Sequence, residues 1–464
     1  MNKFNSVIAA VSTPPGKGGV AIIRVSGSGA AALCDKVFIA RGKKRLTEAT
    51  PRVQYRGDII HEGQQIDDGM ATVFLGPNSY TGEDTVEISC HGGVLVTSLV
   101  LEALFAAGAR AAEPGEFTKR AYINGKISLT DAEAIGDLID AKSYEQIRLS
   151  NVKSREKLNG ESEKIREELM AIMSSVYARI DYPDEDLGEL SGEQILRMLE
   201  GVRMRVQRLL STYKTGRAIN EGVKTVICGK TNAGKSSIYN SILGFDAAIV
   251  TDIKGTTRDV LSDTVNLGKI LLRISDTAGI RSKECSDRVE RIGISRSLER
   301  IDDSELIFAV FDLSRELDGD DRELLDKLRS VTAPKILILN KTDLPQRLDV
   351  LELPDIFSQV VYTSAKEISK DLKDNLCAAV EKLFTDEKLV IGEDAVISSA
   401  RQNGALIRAL DFINLATEAL KLGLPEDAVC SDVERALGAV SELDGKEVSE
   451  AVVSEIFKNF CVGK

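Results

Sequence analysis

The run Gly229-Lys230-Thr231-Asn232-Ala233-Gly234-Lys235-Ser236 fits G-x-x-x-x-G-K-S in full, and no other stretch constrains the fold as much. It follows the apolar run Val226-Ile227-Cys228 and leads into Ser237-Ile238-Tyr239-Asn240-Ser241-Ile242-Leu243, which reads as strand, loop and helix. The glycines let successive backbone N–H groups turn toward a phosphate chain, and the helix N-terminus adds partial positive charge. Lys235 then reaches the β- and γ-phosphates, and Ser236 offers its hydroxyl to Mg²⁺. The bland alternative, a Gly-rich turn before an ordinary helix, does not call for the flanking strand and helix that are found here.

Further elements follow in order, each at the end of an apolar run, and they select the base. Asp276-Thr277-Ala278-Gly279 closes Ile270-Leu271-Leu272-Arg273-Ile274; its Asp can hold Mg²⁺ through water and its Gly N–H can meet the γ-phosphate. Asn340-Lys341-Thr342-Asp343 closes Ile336-Leu337-Ile338-Leu339. A carboxylate there accepts from both guanine N1–H and the exocyclic amino group, donors that adenine does not present together. Ser364-Ala365-Lys366 closes Val360-Val361-Tyr362 and can bring a backbone N–H to guanine O6. Thr251-Asp252-Ile253-Lys254-Gly255-Thr256-Thr257-Arg258-Asp259 lies where a switch loop belongs, with Thr257 as a second hydroxyl for Mg²⁺. Each short motif occurs by chance alone; together and in register they imply GTP binding.

At 464 residues the chain allows about three domains. Its net charge of −12 argues against broad nonspecific nucleic-acid binding, which runs on clustered Lys and Arg, but leaves room for a local basic patch or a nucleic acid delivered by a basic partner. No apolar run reaches the roughly 18–20 residues of a membrane span, and Met1-Asn2-Lys3-Phe4-Asn5 lacks a signal-peptide pattern. The seven cysteines are scattered without a C-x-x-C pair, and read as reduced thiols, or one reactive thiol, of a cytoplasmic protein without a zinc site.

The expected fold is multidomain, α/β plus α. Residues 1–122 look mixed, with strands at Val20–Val25, Gly69–Leu75 and Thr85–Cys90 and a helix from Leu95 to Ala107. Residues 123–221 turn helical, broken at Tyr182-Pro183-Asp184. Residues 222–385 alternate strand and helix as a doubly wound, Ras-like P-loop domain does. Residues 386–464 are helical again, with a break at Gly423-Leu424-Pro425. The two helical stretches read as one discontinuous domain carrying the α/β domain as an insertion. Gly16-Lys17-Gly18-Gly19-Val20-Ala21 fits a loose dinucleotide-binding pattern, but it precedes a strand instead of opening a helix, and is rejected.

Thr13-Pro14-Pro15-Gly16-Lys17-Gly18-Gly19, Tyr80-Thr81-Gly82-Glu83-Asp84, Glu113-Pro114-Gly115-Glu116-Phe117-Thr118-Lys119-Arg120-Ala121, the motifs above and the closing Phe460-Cys461-Val462-Gly463-Lys464 resemble the MnmE (TrmE) family of tRNA modification GTPases over essentially the full length. The resemblance implies an N-terminal domain that dimerises and binds a tetrahydrofolate one-carbon carrier (5-formyl- or methylene-tetrahydrofolate) through Arg24, Glu87, Lys126 and Lys464. It implies an FAD-binding MnmG/GidA-like partner in a heterotetramer, which together with the chain places an aminomethyl or carboxymethylaminomethyl group on carbon 5 of a tRNA wobble uridine. Taken alone, a single Arg, Glu or Lys is more often a solvated surface residue. Cys461 reads either as a nucleophile near the one-carbon carrier, its pKa lowered by Lys464 or a helix terminus, or as a packing thiol on a tail.

Phosphoryl transfer needs positive charge between the β- and γ-phosphates and a held water. Ile280 stands where Ras-like proteins carry a water-positioning Gln. An Arg in trans is one replacement. The resemblance implies another, a K⁺ ion held by Asn232, Thr251, Ile253 and Thr256 as the GTPase domains dimerise, with Glu290 orienting the water. Without it, Glu290 reads as a helix-surface residue. The chain departs from the family pattern at Thr231, where Pro is usual, in a slightly long Gly279–Glu290 stretch, and at Val462, where Ile or Leu is commoner. The competing expectations are a ribosome-assembly GTPase of the Era or EngA kind and a scaffold with structural GTP. No basic KH-type segment follows residue 385, and intact Lys235, Ser236, Asp276 and Thr257 speak for turnover.

Overall fold

The computed structural model describes residues 6–42, 44–181, 190–244, 262–275, 301–364, 370–446, 448–458 and 460–463. The chain divides into two compact units, Met1–Gly136 with Ser441–Lys464, and Asp137–Val440.

The first unit is built on a seven-stranded sheet in the order β3-β4-β5-β6-β2-β1-β7. Its strands are β1 (Ile8–Val11), β2 (Gly18–Ser26), β3 (Phe38–Ala40), β4 (Gln54–His61), β5 (Gln64–Phe74), β6 (Thr85–Gly92) and β7 (Arg110–Ala111). All neighbours run antiparallel except β1 and β7. Period-two alternation sends Ala21, Ile23 and Val25 of β2, and Val86, Ile88 and Cys90 of β6, into the core with α1 (Ala30–Cys34) and α2 (Val94–Ala106). The opposite face is left to Arg24 and Glu87, which stand directly across from each other in the β2–β6 register. Gly18 begins β2, as the rejection of the dinucleotide pattern requires. Helices α3 (Glu116–Ile123) and α4 (Leu129–Asp140) follow.

Helices α5 (Tyr144–Leu149), α6 (Val152–Asp181) and α7 (Gly192–Asn220) come next. A capping box starts α7, the Ser191 hydroxyl accepting from Gln194 N–H while the Gln194 side chain accepts from Ser191 N–H. Then comes a six-stranded sheet in the order β13-β12-β11-β8-β10-β9. Its strands are β8 (Val223–Cys228), β9 (Ser262–Leu267), β10 (Ile270–Ser275), β11 (Leu306–Asp312), β12 (Lys335–Asn340) and β13 (Gln359–Tyr362). Only β9 is antiparallel to its neighbour. Every residue of β11 and β12 is buried, because a parallel sheet is covered on both faces. Three of its helices are α8 (Lys235–Gly244), α9 (Gly319–Arg329) and α10 (Lys370–Phe384). The chain continues into α11 (Ala400–Lys421), which packs along α7, and then into α12 (Glu426–Asp444) and α13 (Glu450–Lys458).

Candidate functional site

In the second unit the C-terminal end of the parallel sheet gathers the described nucleotide motifs. The phosphate loop joins β8 to α8, whose first residue is Lys235. Gly234 holds a φ of 102°, and a Cβ built there would lie 1.9 Å from Asn340 Nδ2. Asn232 takes the left-handed φ of 63°, which Asn tolerates better than most side chains. Asn232, Ser236 and Ser237 are exposed, whereas Ala233 is buried. Lys235 Nζ donates to the carbonyl of Lys230 at 2.9 Å, so its ammonium is folded over the loop that a phosphate would occupy.

The guanine-reading elements close the same end. Buried Asn340 donates from Nδ2 to Ala233 O at 2.8 Å, tying the end of β12 to the phosphate loop. Lys341 has a φ of 66° and reaches Asp312 Oδ2 at 2.6 Å. Burial alone would raise the Asp312 carboxyl, but Lys341 and Ser314 hold it below the usual carboxylate range. Exposed Asp343 accepts from Ser364 Oγ at 2.7 Å, which leaves the carboxylate facing out at the position expected to read the base. Thr251, Asp252, Ile253, Lys254, Gly255, Thr256, Thr257, Asp276, Thr277, Ala278, Gly279, Glu290, Ala365 and Lys366 lie outside the described residues.

In the first unit, Arg24 and Glu87 meet as a two-point pair, with Nε and Nη2 donating to Glu87 Oε1 at 3.0 and 2.9 Å. The guanidinium carbon sits 5.0 Å from the Tyr80 ring centroid and 5.6 Å from that of Phe117, within cation–π range. The tail reaches the same strands. Gly463 has a φ of 99°, a Cβ on it would come within 2.1 Å of Val11 O, and its carbonyl accepts from Ser12 Oγ at 3.0 Å. Val11 pairs with Ile23, one residue from Arg24. Tyr122, Phe457 and Phe460 stack tilted beneath the tail, with Phe460 covering Gly136. Lys126 is not brought onto the Arg24–Glu87 pair; its Nζ donates to Pro77 O at 2.8 Å. Lys464 lies outside the described residues.

Cys461 is exposed, whereas Cys34, Cys90, Cys228 and Cys430 are buried. Burial pushes the Cys228 thiol up to about 12 and Cys90 to about 11, which keeps both protonated and unreactive near neutral pH. Among the described residues, Asp67, Asp68 and His91 have metal-ligand spacing, but Arg56 and Arg41 stand 2.8 and 3.8 Å from Asp68 Oδ2 and already supply the positive charge.

Sequence reasoning missed a buried ionic network in the same unit. Arg120, with 1% of its side chain exposed, reaches Glu116 at 3.0 Å, Glu83 at 2.8 Å and Ser6 O at 3.0 Å. Burial raises the Glu116 carboxyl, yet Arg110, the Glu113 N–H and Arg120 together hold it below its ordinary value. A signal was available: Glu83 and Arg120 both sit inside motifs quoted for the resemblance, with no role given to them. Asp312 was missed too, although it ends an apolar strand as the recognised motifs do.

Two family models match: the TrmE N-terminus of GTP-binding proteins over residues 7–126 and the MnmE helical domain over residues 129–461. A tRNA modification GTPase MnmE of Natranaerobius thermophilus is 38% identical over 98% of this chain and 99% of its own. One from Alkaliphilus oremlandii is 38% identical over 99% of this chain and 100% of its own. Among solved structures, a single-residue variant of Aquifex aeolicus Era bound to GDP and AlF₄⁻ aligns over 42% of this chain and 67% of its own, at 21% identity and a TM-score of 0.25.

Proposed function

The chain belongs to the MnmE family of tRNA modification GTPases and is a GTP-hydrolysing enzyme; from that premise we propose that K⁺ stimulates its hydrolysis, and that the GTP cycle drives one-carbon chemistry on tRNA. With an FAD-binding MnmG/GidA-like partner, in a heterotetramer, it adds an aminomethyl or carboxymethylaminomethyl group to carbon 5 of the wobble uridine of certain tRNAs. It works in the cytoplasm; no helix among the described residues is long and apolar enough to cross a membrane. Residues 222–385 act as a GTPase domain inserted into a helical domain of residues 123–221 and 386–464, and residues 1–122 bind folate and dimerise.

The observation that carries the nucleotide half is the Asn340–Ala233 bond, which sets the guanine-reading carboxylate and the phosphate loop at one end of one sheet. GTP sits with its phosphates on residues 232–237, Lys235 leaving the Lys230 carbonyl to reach them, and its base between Asp343, Lys341, Asn340 and Ser364-Ala365-Lys366. Residues 251–257 and Asp276-Thr277-Ala278-Gly279 belong to the same GTP-binding set, Asp276 toward Mg²⁺ through water and the Gly279 N–H toward the γ-phosphate. Ser236 and Thr257 would hold Mg²⁺, and Asn232, Thr251, Ile253 and Thr256 would hold K⁺; Asn232 and Ser236 are exposed and offer the oxygen ligands that hard cations take. When bound, these ions supply the positive charge that offsets developing negative charge on the phosphates. Glu290 orients the attacking water. Dimerisation of the GTPase domains accompanies GTP binding.

The folate half rests on Arg24–Glu87, a donor and acceptor side by side in a fixed register. Glu87 accepts from the pterin's amino and ring N–H groups, while Arg24, Lys126 and Lys464 meet carbonyl and carboxylate oxygens. The carrier, when bound, supplies the one-carbon unit. Cys461, exposed on the tail near these strands, is accessible for a nucleophilic role toward the one-carbon unit. Turnover of GTP in KCl against NaCl tests the cation reading, with faster hydrolysis expected in KCl; equal, near-zero rates in both salts would overturn it. Nucleoside analysis of tRNA from cells lacking the protein tests the modification role, and unmodified wobble uridines are the expected result.

A further inference from the structure

We propose that the loop between β11 and α9 is a positioning strap for the nucleotide, in which Asp318 and Asp320 clamp Lys230 of the phosphate loop while Asp312 clamps Lys341 of the guanine loop. The inference rests on the reading of residues 229–236 as a phosphate cradle, and the residues it adds, Asp312, Asp318 and Asp320, lie in none of the nucleotide motifs. Lys230 Nζ is ion-paired with Asp318 and lies 3.0 Å from Asp320. The Lys230 carbonyl accepts both Lys235 Nζ at 2.9 Å and Ala233 N–H at 3.2 Å, so fixing residue 230 fixes the turn of the loop from which Lys235 reaches the phosphates.

The strap is stiff at its far end. Asp318 caps α9, its carboxylate accepting from Asp320 and Asp321 N–H, while Arg315 forks onto buried Asp321 at 2.6 and 2.8 Å. At its near end Asp312 reaches Lys341 at 2.6 Å, and Leu313 N–H donates to Asn340 O at 2.9 Å. One short loop thus grips both halves of the site. The Lys230 ammonium holds the Asp318 carboxyl down at about 2, so Asp318 is ionised near neutral pH.

Electrostatics gives the test a sign. Carboxylates near a polyanion site oppose nucleotide binding by simple repulsion, so removing them should tighten binding unless they position the loop. The variant D318N/D320N keeps an N-cap side chain at 318, because Asn caps as well as Asp. We expect its KM for GTP to rise about two- to fivefold at low ionic strength, the scale of a half-exposed ion pair, with a smaller change in kcat. The difference should close when ionic strength is raised to about 1 M with choline chloride at fixed KCl, where the screening length is about 3 Å. K230M should copy the loss and K230R should restore it. D326N removes a single carboxylate charge from an exposed partner of Arg329 on the same helix and should leave KM unchanged. Equal or tighter binding by D318N/D320N, or a loss that persists at high ionic strength, overturns the strap. Failure of the unaltered protein to bind GTP would instead overturn the cradle reading on which it rests.

Discussion

The six-stranded sheet of one unit and the seven-stranded sheet of the other prepare their candidate ligand sites by different means. At the end of the parallel sheet, the proposed phosphate contacts are mainly backbone N–H donors, and side chains such as Asn340, Lys230 and Asp312 bond one loop to another. On the antiparallel sheet the groups proposed to meet the ligand are side chains themselves, Arg24 and Glu87, and the same unit holds a buried ionic network around Arg120. Chemistry borne by the backbone demands glycines at fixed spacing, and so leaves a pattern that can be read. Chemistry borne by single side chains leaves one Arg and one Glu among many.

The contrast can be broken or sharpened by substitution. The largest effect is expected where ionic groups are buried. R120M removes the buried cation shared by Glu83 and Glu116 inside the first unit, leaving Glu116 only Arg110, and should destabilise that unit by about 3–5 kcal/mol in urea unfolding, because a buried ionic network loses its central charge. The cost should depend on pH. Glu116 has a depressed folded-state pKa, so its contribution is full above the ordinary carboxylate pKa and fades as pH falls through the depressed value. The gap between R120M and the unaltered protein should therefore narrow in acid. A gap below about 1 kcal/mol at neutral pH, the scale of an exposed pair, would mean that the network is not what holds this sheet.

The next effect is on binding without folding. D343N removes an exposed carboxylate, so the unfolding midpoint of the second unit should stay put while affinity for guanine nucleotides falls about ten- to a hundredfold, the worth of hydrogen bonds to a charged acceptor. A xanthine nucleotide, which presents a carbonyl where guanine carries the amino group, should gain in the same variant. Unchanged guanine affinity would move base recognition away from this loop.

The smallest effect is local. Asp67 accepts from His91 and pushes its imidazole pKa above the ordinary value. Any stability from the pair is present below the unfolded pKa and lost as pH rises through the raised one. With only two histidines in the chain, His61 and His91, an NMR titration should separate them, and D67N should bring His91 back toward its ordinary pKa.

Much of the second unit was legible because its signals are periodic and punctuated. The strands expected at Val226–Cys228, Ile270–Ile274, Ile336–Leu339 and Val360–Tyr362 fall within β8, β10, β12 and β13. The edge strand β9, Ser262–Leu267, was not read, because Ser262-Asp263-Thr264 and Asn266 look like loop until β10 pairs with them. In the first unit the helix expected from Leu95 to Ala107 is α2, Val94–Ala106, and the alternation of Thr85–Cys90 is β6. The tail's course beside β1 was not readable. It depends on Gly463 meeting Val11, and contacts made hundreds of residues apart leave no local period.

The bond from Asn340 to Ala233 joins residues 107 positions apart in sequence. A nascent chain that has released the phosphate loop from the ribosome therefore still lacks the brace that shapes it, and must add further strands to the sheet before the brace can form. Contacts of such long range form late, since loop closure has to be met first. Guanine nucleotide in the cell then favours only the completed sheet and draws the newly made protein toward it by mass action.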